Sequence, residues 1–142
     1  MITDDKNQTN EKKVRPIIGL ILLILSILLI IITGPIGILY GMFYSFYKKF
    51  ISGIGTYFLE MAISIDQLGN VVMQHLLNLI LLRKNAYKFG NPDETISSVI
   101  GKNLEKCTLT PFGKIISKTL DAIDPNHSLN SIDYYIEPKS NL

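Results

Sequence analysis

The sequence predicts an all-α protein: an N-terminal transmembrane helix, a long amphipathic helix, and a small helical C-terminal region. Three observations carry that fold class. No charged side chain occurs between Arg15 and Lys48. Asp66, Asn70, Gln74 and Asn78 recur every fourth position in an otherwise apolar run, the spacing of one helix face. Further on, Asn91-Pro92-Asp93-Glu94 and Thr110-Pro111 read as helix starts ahead of short segments.

Residues 1–15 form a polar arm without periodicity, expected to be disordered. Residues 16–50 form the membrane segment. From Ile17 to Ile32 only Ser26 interrupts Ile, Leu and Gly, and about 20 apolar residues suffice to cross about 30 Å of hydrocarbon. Pro16 suits a first helical turn, where its missing N–H costs nothing. At Gly34-Pro35 the ring removes an internal hydrogen bond, so the helix is expected either to kink or to end there. Two topologies satisfy the pattern. One is a single tilted, kinked span ending at Tyr40, Tyr44 and Tyr47; the other is a short hairpin. The second arm, about 12 residues and about 18 Å, is too short to cross alone, which favours the single span. Lys12, Lys13 and Arg15 on one side and Lys48 and Lys49 on the other serve as interfacial anchors, the denser cluster favouring a cytoplasmic N-terminus. A signal peptide fits poorly: the arm holds Asp4, Asp5 and Glu11, the apolar core is long, and no small-x-small cleavage site follows Ile32.

Ser52-Gly53-Ile54-Gly55 reads as a flexible joint, with Thr56 capping an amphipathic helix over residues 56–84. Its polar stripe, Glu60, Asp66, Gln67, Asn70, Gln74 and Asn78, is the candidate interaction face. Such a helix is soluble, lies on the bilayer, or is a second span whose polar face meets a partner; mid-membrane acids are costly, which favours the first two. Residues 85–133 form the small helical region. Asn91 is the expected cap of a helix with Pro92 at its first position and Glu94 three residues on, ending near Gly101. Thr110-Pro111 starts another, with Phe112, Ile115, Ile116, Leu120 and Ile123 as its apolar stripe. Asp124-Pro125 stops it ahead of a last turn through His127 to Ile132, and residues 134–142 are a polar tail.

Composition narrows the chemistry. The chain has 142 residues and a net charge of +2, and its mean hydropathy of +0.27 comes from the first half. About ninety residues remain for a folded domain, room for one small core. Cys107 is the only cysteine, so neither an intrachain disulfide nor a multi-cysteine zinc site can form. The lysines make no basic helix or aromatic-interleaved patch, so nucleic acid is not an expected partner, and nothing requires a cofactor.

Three blocks carry a family likeness: IDQLGNVV from Ile65, FGNPDETISSVIGKN from Phe89 and LDAIDPNHSLNSID from Leu120. In these the chain resembles a family of small membrane-associated proteins of tailed bacteriophages and prophages, over roughly its second half. The family pattern has a cysteine after the histidine; Ser128 stands there in this chain, so a thiol role does not carry over. The family has no established activity, and the resemblance implies a phage origin and membrane association without a mechanism.

The candidate chemical residues are Asp66, Asp93, Glu94 and His127, drawn from those blocks. Carboxylates and an imidazole can hold a divalent ion or form an acid-base pair, yet the spacing matches no metal motif, and helix-start and turn roles explain most of them structurally. Asp66 interrupts apolar residues and is expected to contact the Asp93 to Thr95 region or His127, organising the domain. His75 falls on the apolar side of its helix, and Ser97 and Ser98 lack a Gly-x-Ser-x-Gly turn. The leading expectation is a non-enzymatic phage protein anchored in the host inner membrane, binding itself or another membrane or phage protein through its helical region, with a holin-like or lysis-accessory role as one form. The alternative is a membrane-tethered hydrolase or metal-dependent enzyme using Asp66, Glu94 and His127.

Overall fold

The computed structural model describes residues 15–135, so the arm before Arg15 and the tail beyond Tyr135 lie outside the described residues. Among the described residues helix is the only extended regular element: α1 (Pro16–Val72), α2 (Gln74–Ile80), α3 (Ile96–Glu105), α4 (Pro111–Ile123) and α5 (His127–Asn130). A single antiparallel bridge joins Leu82 to Leu109. The chain divides into two compact units between Ile54 and Gly55, and α1 contributes to both.

The first unit is the apolar part of α1, long and apolar enough to cross a membrane, with a mean hydropathy of 3.1 over its most apolar window and none of that window buried. The hydroxyls of its most apolar stretch, Ser26 and Thr33, are satisfied within the helix. Ser26 donates to the Leu22 carbonyl and Thr33 to the Leu29 carbonyl, each at 2.8 Å, which lets them sit in an apolar helix without exposing a free donor. Tyr40 and Tyr44 stack at 6.2 Å, and the Lys48 ammonium lies 5.7 Å from the Tyr44 ring centre, an aromatic and cationic end to the apolar run.

The helix does not end at Gly34-Pro35. Backbone dihedrals stay helical through Pro35, and the hairpin alternative at that point falls with it. A proline removes one N–H donor but leaves φ in the helical range, so a long apolar helix can carry it. The departure from helical geometry comes instead at Lys49 (φ −137°, ψ 18°) and Phe50 (φ 54°, ψ −141°). The backbone break thus lies just ahead of the expected joint at residues 52–55, within which the boundary between the two units falls, and Thr56 lies inside a helix rather than capping one. Gly53 is buried at this break: a Cβ there would run into the Ser45 carbonyl, so the close approach requires glycine.

The second unit begins with the remainder of α1. At Met73 the helix pauses but keeps its direction, because the Met73 N–H reaches the Gly69 carbonyl and the Leu77 N–H reaches the Met73 carbonyl, both at 2.9 Å. It stops at Ile80 rather than at residue 84. Leu81 and Leu82 turn inward, and their backbone pairs with residues 108–110: Arg83 N–H to the Thr108 carbonyl at 2.9 Å, Thr110 N–H to the Leu81 carbonyl at 2.8 Å. Tertiary pairing thus overrides a helical pattern that continues in the sequence.

The core is small. Leu77, Leu81, Leu82, Ala86, Phe89, Val99, Ile100 and Leu109 form it, with Ile96, Leu104, Ile116 and Leu120 packed around it. The expected helix start at Asn91 is corrected: Asn91 to Glu94 is a turn in which the Asn91 side chain accepts the Asp93 N–H at 3.1 Å, and the cap of α3 is Thr95, which accepts the Ser98 N–H. An Asn-Pro-Asp-Glu run satisfies both patterns, and the four-residue offset is decided by what Glu94 does in the core. Helix α3 also runs past Gly101 to Glu105. Thr110 caps α4 as expected, with Pro111 in its first turn.

Gly101 sets how closely α5 can approach α3. A Cβ at this position would meet the Ser128 carbonyl and sit 2.7 Å from Ile132 Cγ1. Gly101→Ala is expected to push residues 128–132 outward and destabilise the domain by about 1–3 kcal/mol. Faster amide exchange in residues 128–132 than in α4 would show it; unchanged exchange in both would contradict it.

Candidate functional site

The polar stripe on the long helix has an intramolecular purpose. Asn70, fully buried, donates through Nδ2 to the Asn91 carbonyl at 3.0 Å and the Glu94 carbonyl at 2.7 Å, and its Oδ1 accepts the Gly90 N–H at 2.9 Å. Two turns on, Asn78 makes the same two-way pairing with Phe89, accepting its N–H at 2.9 Å and donating to its carbonyl at 3.2 Å. Gln67 donates to the Asp93 carbonyl at 3.1 Å. Gln74 donates to the Val71 carbonyl and packs under Gly90, where its Oε1 would lie 2.5 Å from a Cβ and where a φ of 126° disfavours any L side chain. The stripe therefore holds the loop from Phe89 to Glu94; Glu60, at the upper end, is exposed.

Asp66 extends the same logic to a helix terminus. Its Oδ2 accepts the Ser97 N–H at 3.3 Å and the Ser97 hydroxyl at 3.0 Å. Ser97 lies in the first turn of α3, so Asp66 supplies the carboxylate that α3 lacks in its own first turn. The contact was expected at the Asp93 to Thr95 region or His127; the hydrogen bonds of Asp66 go instead to Ser97, two residues further on, because the first turn of α3 presents its N–H and hydroxyl there.

Beside it is an open cavity of about 360 Å³. Leu59, Ala62 and Ile63 form an apolar wall, and Asp66, Asp93, His127 and Asp133 bring titratable groups, with Gln67, Thr95, Ser97 and Ser131 between them. His127 starts α5, after Asn126 in the left-handed conformation, and its Nδ1 lies 3.1 Å from Asp124 Oδ2. Three of the four sequence candidates, Asp66, Asp93 and His127, therefore line one cavity.

Glu94 does not. It is 1% exposed and points into the core, where Oε1 lies 2.6 Å from Lys102 Nζ and accepts the Ser98 hydroxyl at 2.6 Å, while Oε2 accepts the Tyr87 hydroxyl at 2.8 Å. Lys102 is fully buried, and its ammonium also sits 4.6 Å from the Tyr87 ring centre. The physical reason for the inward turn is this buried cation, which an uncompensated core cannot accommodate. Asn103 beside it, also fully buried, pairs with both the N–H and the carbonyl of Tyr87 and holds that residue over Lys102. Sequence reasoning passed over Lys102 and Asn103, two polar residues on a helix with apolar Val99 and Ile100 before them. Their one signal was a lysine and an asparagine adjacent on a short helix also rich in buried serine.

The arrangement limits the chemistry. Among the described residues no three His, Cys, Asp or Glu side chains stand close enough to hold a metal ion. The Ser97 hydroxyl is given to Asp66 and His127 is paired with Asp124, so the hydrogen bond by which a histidine activates a serine is not made. What the cavity offers is an apolar wall facing carboxylates, suited to a group with a cationic head and an apolar stem. No protein-family model, curated protein or solved structure matches this chain.

Proposed function

We propose that the protein is a membrane-anchored, non-catalytic binding domain, of the phage-encoded kind that its three sequence blocks resemble. The observation that carries this reading is the uncovered apolar helix: from Ile17 to Ile32 every large side chain is exposed, and in water such a surface requires a bilayer to cover it. The small domain that follows supports a binding role, because the candidate acid, base and metal-ligand residues are divided between a buried ion pair and an open cavity. A lesion-lining role for the polar stripe has less support, since the amides of Gln67, Asn70 and Asn78 are already bonded to the loop at residues 89–94.

Expression in bacteria, with fractionation and dye entry followed in the same culture, tests the reading. The protein is expected in the membrane pellet after an alkaline wash, with dye excluded. Recovery in the soluble fraction would remove the anchor, and dye entry at low expression would favour the holin-like form.

A further inference from the structure

We infer that the second unit docks on the anionic surface of a lipid bilayer through the N-terminal half of α4 and the basic turn that follows α2. Helix α4 turns Gly113, Ile116, Ser117 and Leu120 inward, yet Phe112 and Ile115 on its other side remain 50% and 58% exposed. Lys114 and Lys118 are exposed on the same helix. The Thr110 hydroxyl donates to the Ile80 carbonyl at 2.8 Å and the Arg83 N–H to the Thr108 carbonyl at 2.9 Å, which sets exposed Arg83 and Lys84 beside the start of α4. Two bulky apolar side chains with four cations around them match the apolar-face, basic-flank design of an interfacial helix.

Charge complementarity selects the occupant. Three carboxylates of the domain, Asp66, Asp93 and Asp133, line the cavity at the other end of the long helix, and Asp121, on the C-terminal half of α4, accepts the Ser128 N–H. From Gln67 to Leu79 is about 18 Å of helix. A negatively charged surface thus attracts one end of the domain and repels the other, and lysine stems let their ammonium groups stay at headgroup level while Phe112 and Ile115 enter the acyl boundary. Each lysine or arginine beside such a surface raises occupancy roughly fivefold. The inference rests on the membrane-anchored reading, which brings the domain within reach of lipid.

The chain contains no tryptophan, so one introduced indole reports its own surroundings. Phe112→Trp, Leu129→Trp on α5 and Leu25→Trp in the apolar helix would each be made in the full chain. Each variant would be reconstituted in vesicles of brominated phosphatidylcholine, alone or mixed with phosphatidylglycerol. Docking predicts that the indole at 25 is quenched in both lipids. The indole at 112 should be quenched several-fold more in the anionic mixture, and the one at 129 in neither. Adding Lys114→Glu and Lys118→Glu should abolish the quenching at 112. Quenching at 25 with equal, weak quenching at 112 and 129 would overturn docking and leave the anchor standing. A blue-shifted but unquenched indole at 112 would mean that protein, such as a second copy, covers the face, and would also overturn it. No quenching at 25 would remove the anchor and docking together.

Discussion

Glu94→Ala is expected to unfold the C-terminal domain or leave it marginal. Glu94 is the sole anionic partner of Lys102 among the described residues and also accepts hydroxyls from Ser98 and Tyr87. Its loss strands a fully buried ammonium, a change that removes about 3–5 kcal/mol when one member of a buried pair is deleted. A domain of this size has about that much stability in total. The pair itself is not expected to stabilise the fold relative to apolar groups of the same shape, because its desolvation offsets most of its attraction. Glu94→Gln with Lys102→Met should therefore recover much of what Glu94→Ala loses. Hydrogen exchange of the α3 amides, followed in detergent for the three proteins, reads this directly. If Glu94→Ala left α3 as protected as in the parent, the buried pair would not hold the domain together. If the double variant were no better than Glu94→Ala, the penalty would lie elsewhere than in the unpaired charge.

Asn70→Ala should release the loop at residues 89–94 from the long helix. It takes the partner from the Gly90 N–H and the Glu94 carbonyl, and one of two donors from the Asn91 carbonyl, which keeps the Glu94 N–H, in a place where Asn70 itself is wholly buried. Each buried group left without a partner costs about 1–3 kcal/mol, so a loss of about 2–4 kcal/mol is expected from the two. Asn70→Asp is the more discriminating change. The carboxylate keeps the Gly90 N–H but has no donor to offer the two carbonyls, and should be nearly as damaging as alanine. Limited proteolysis within residues 84–94 is the measurement, with faster cleavage expected in both variants. Cleavage slowed to the parental rate in Asn70→Asp would mean that the Gly90 contact alone holds the loop.

These two residues also mark where the sequence was legible and where it was not. Periodicity identified Asn70 as part of a polar stripe, correctly, because a helix repeats its face every three to four residues whatever that face touches. It could not say that the stripe bonds backbone of the same chain, since the loop bearing those carbonyls is 20 or more residues away and carries no complementary pattern. Glu94 failed for a related reason. An acidic residue after Asn-Pro-Asp satisfies the rule for a helix start, and local rules are indifferent to a buried lysine at position 102. Asp66 fared better: a carboxylate among apolar residues had to find donors, and Ser97 in the first turn of α3 provides them.

By itself the sequence determined that the chain is helical, that its first half holds one helix long and apolar enough for a membrane, and that Thr110 and Asp124 bound a helix. These follow from composition and from the 3.6-residue repeat, which act over neighbouring residues. The tertiary structure alone decided that the backbone breaks at Lys49 and Phe50 rather than at Pro35, and that Glu94 faces Lys102. It alone decided that Asp66, Asp93 and His127 line one cavity. Those outcomes depend on which distant groups must share a core of limited size, where every buried charge and amide needs a partner, and no local spacing records that requirement.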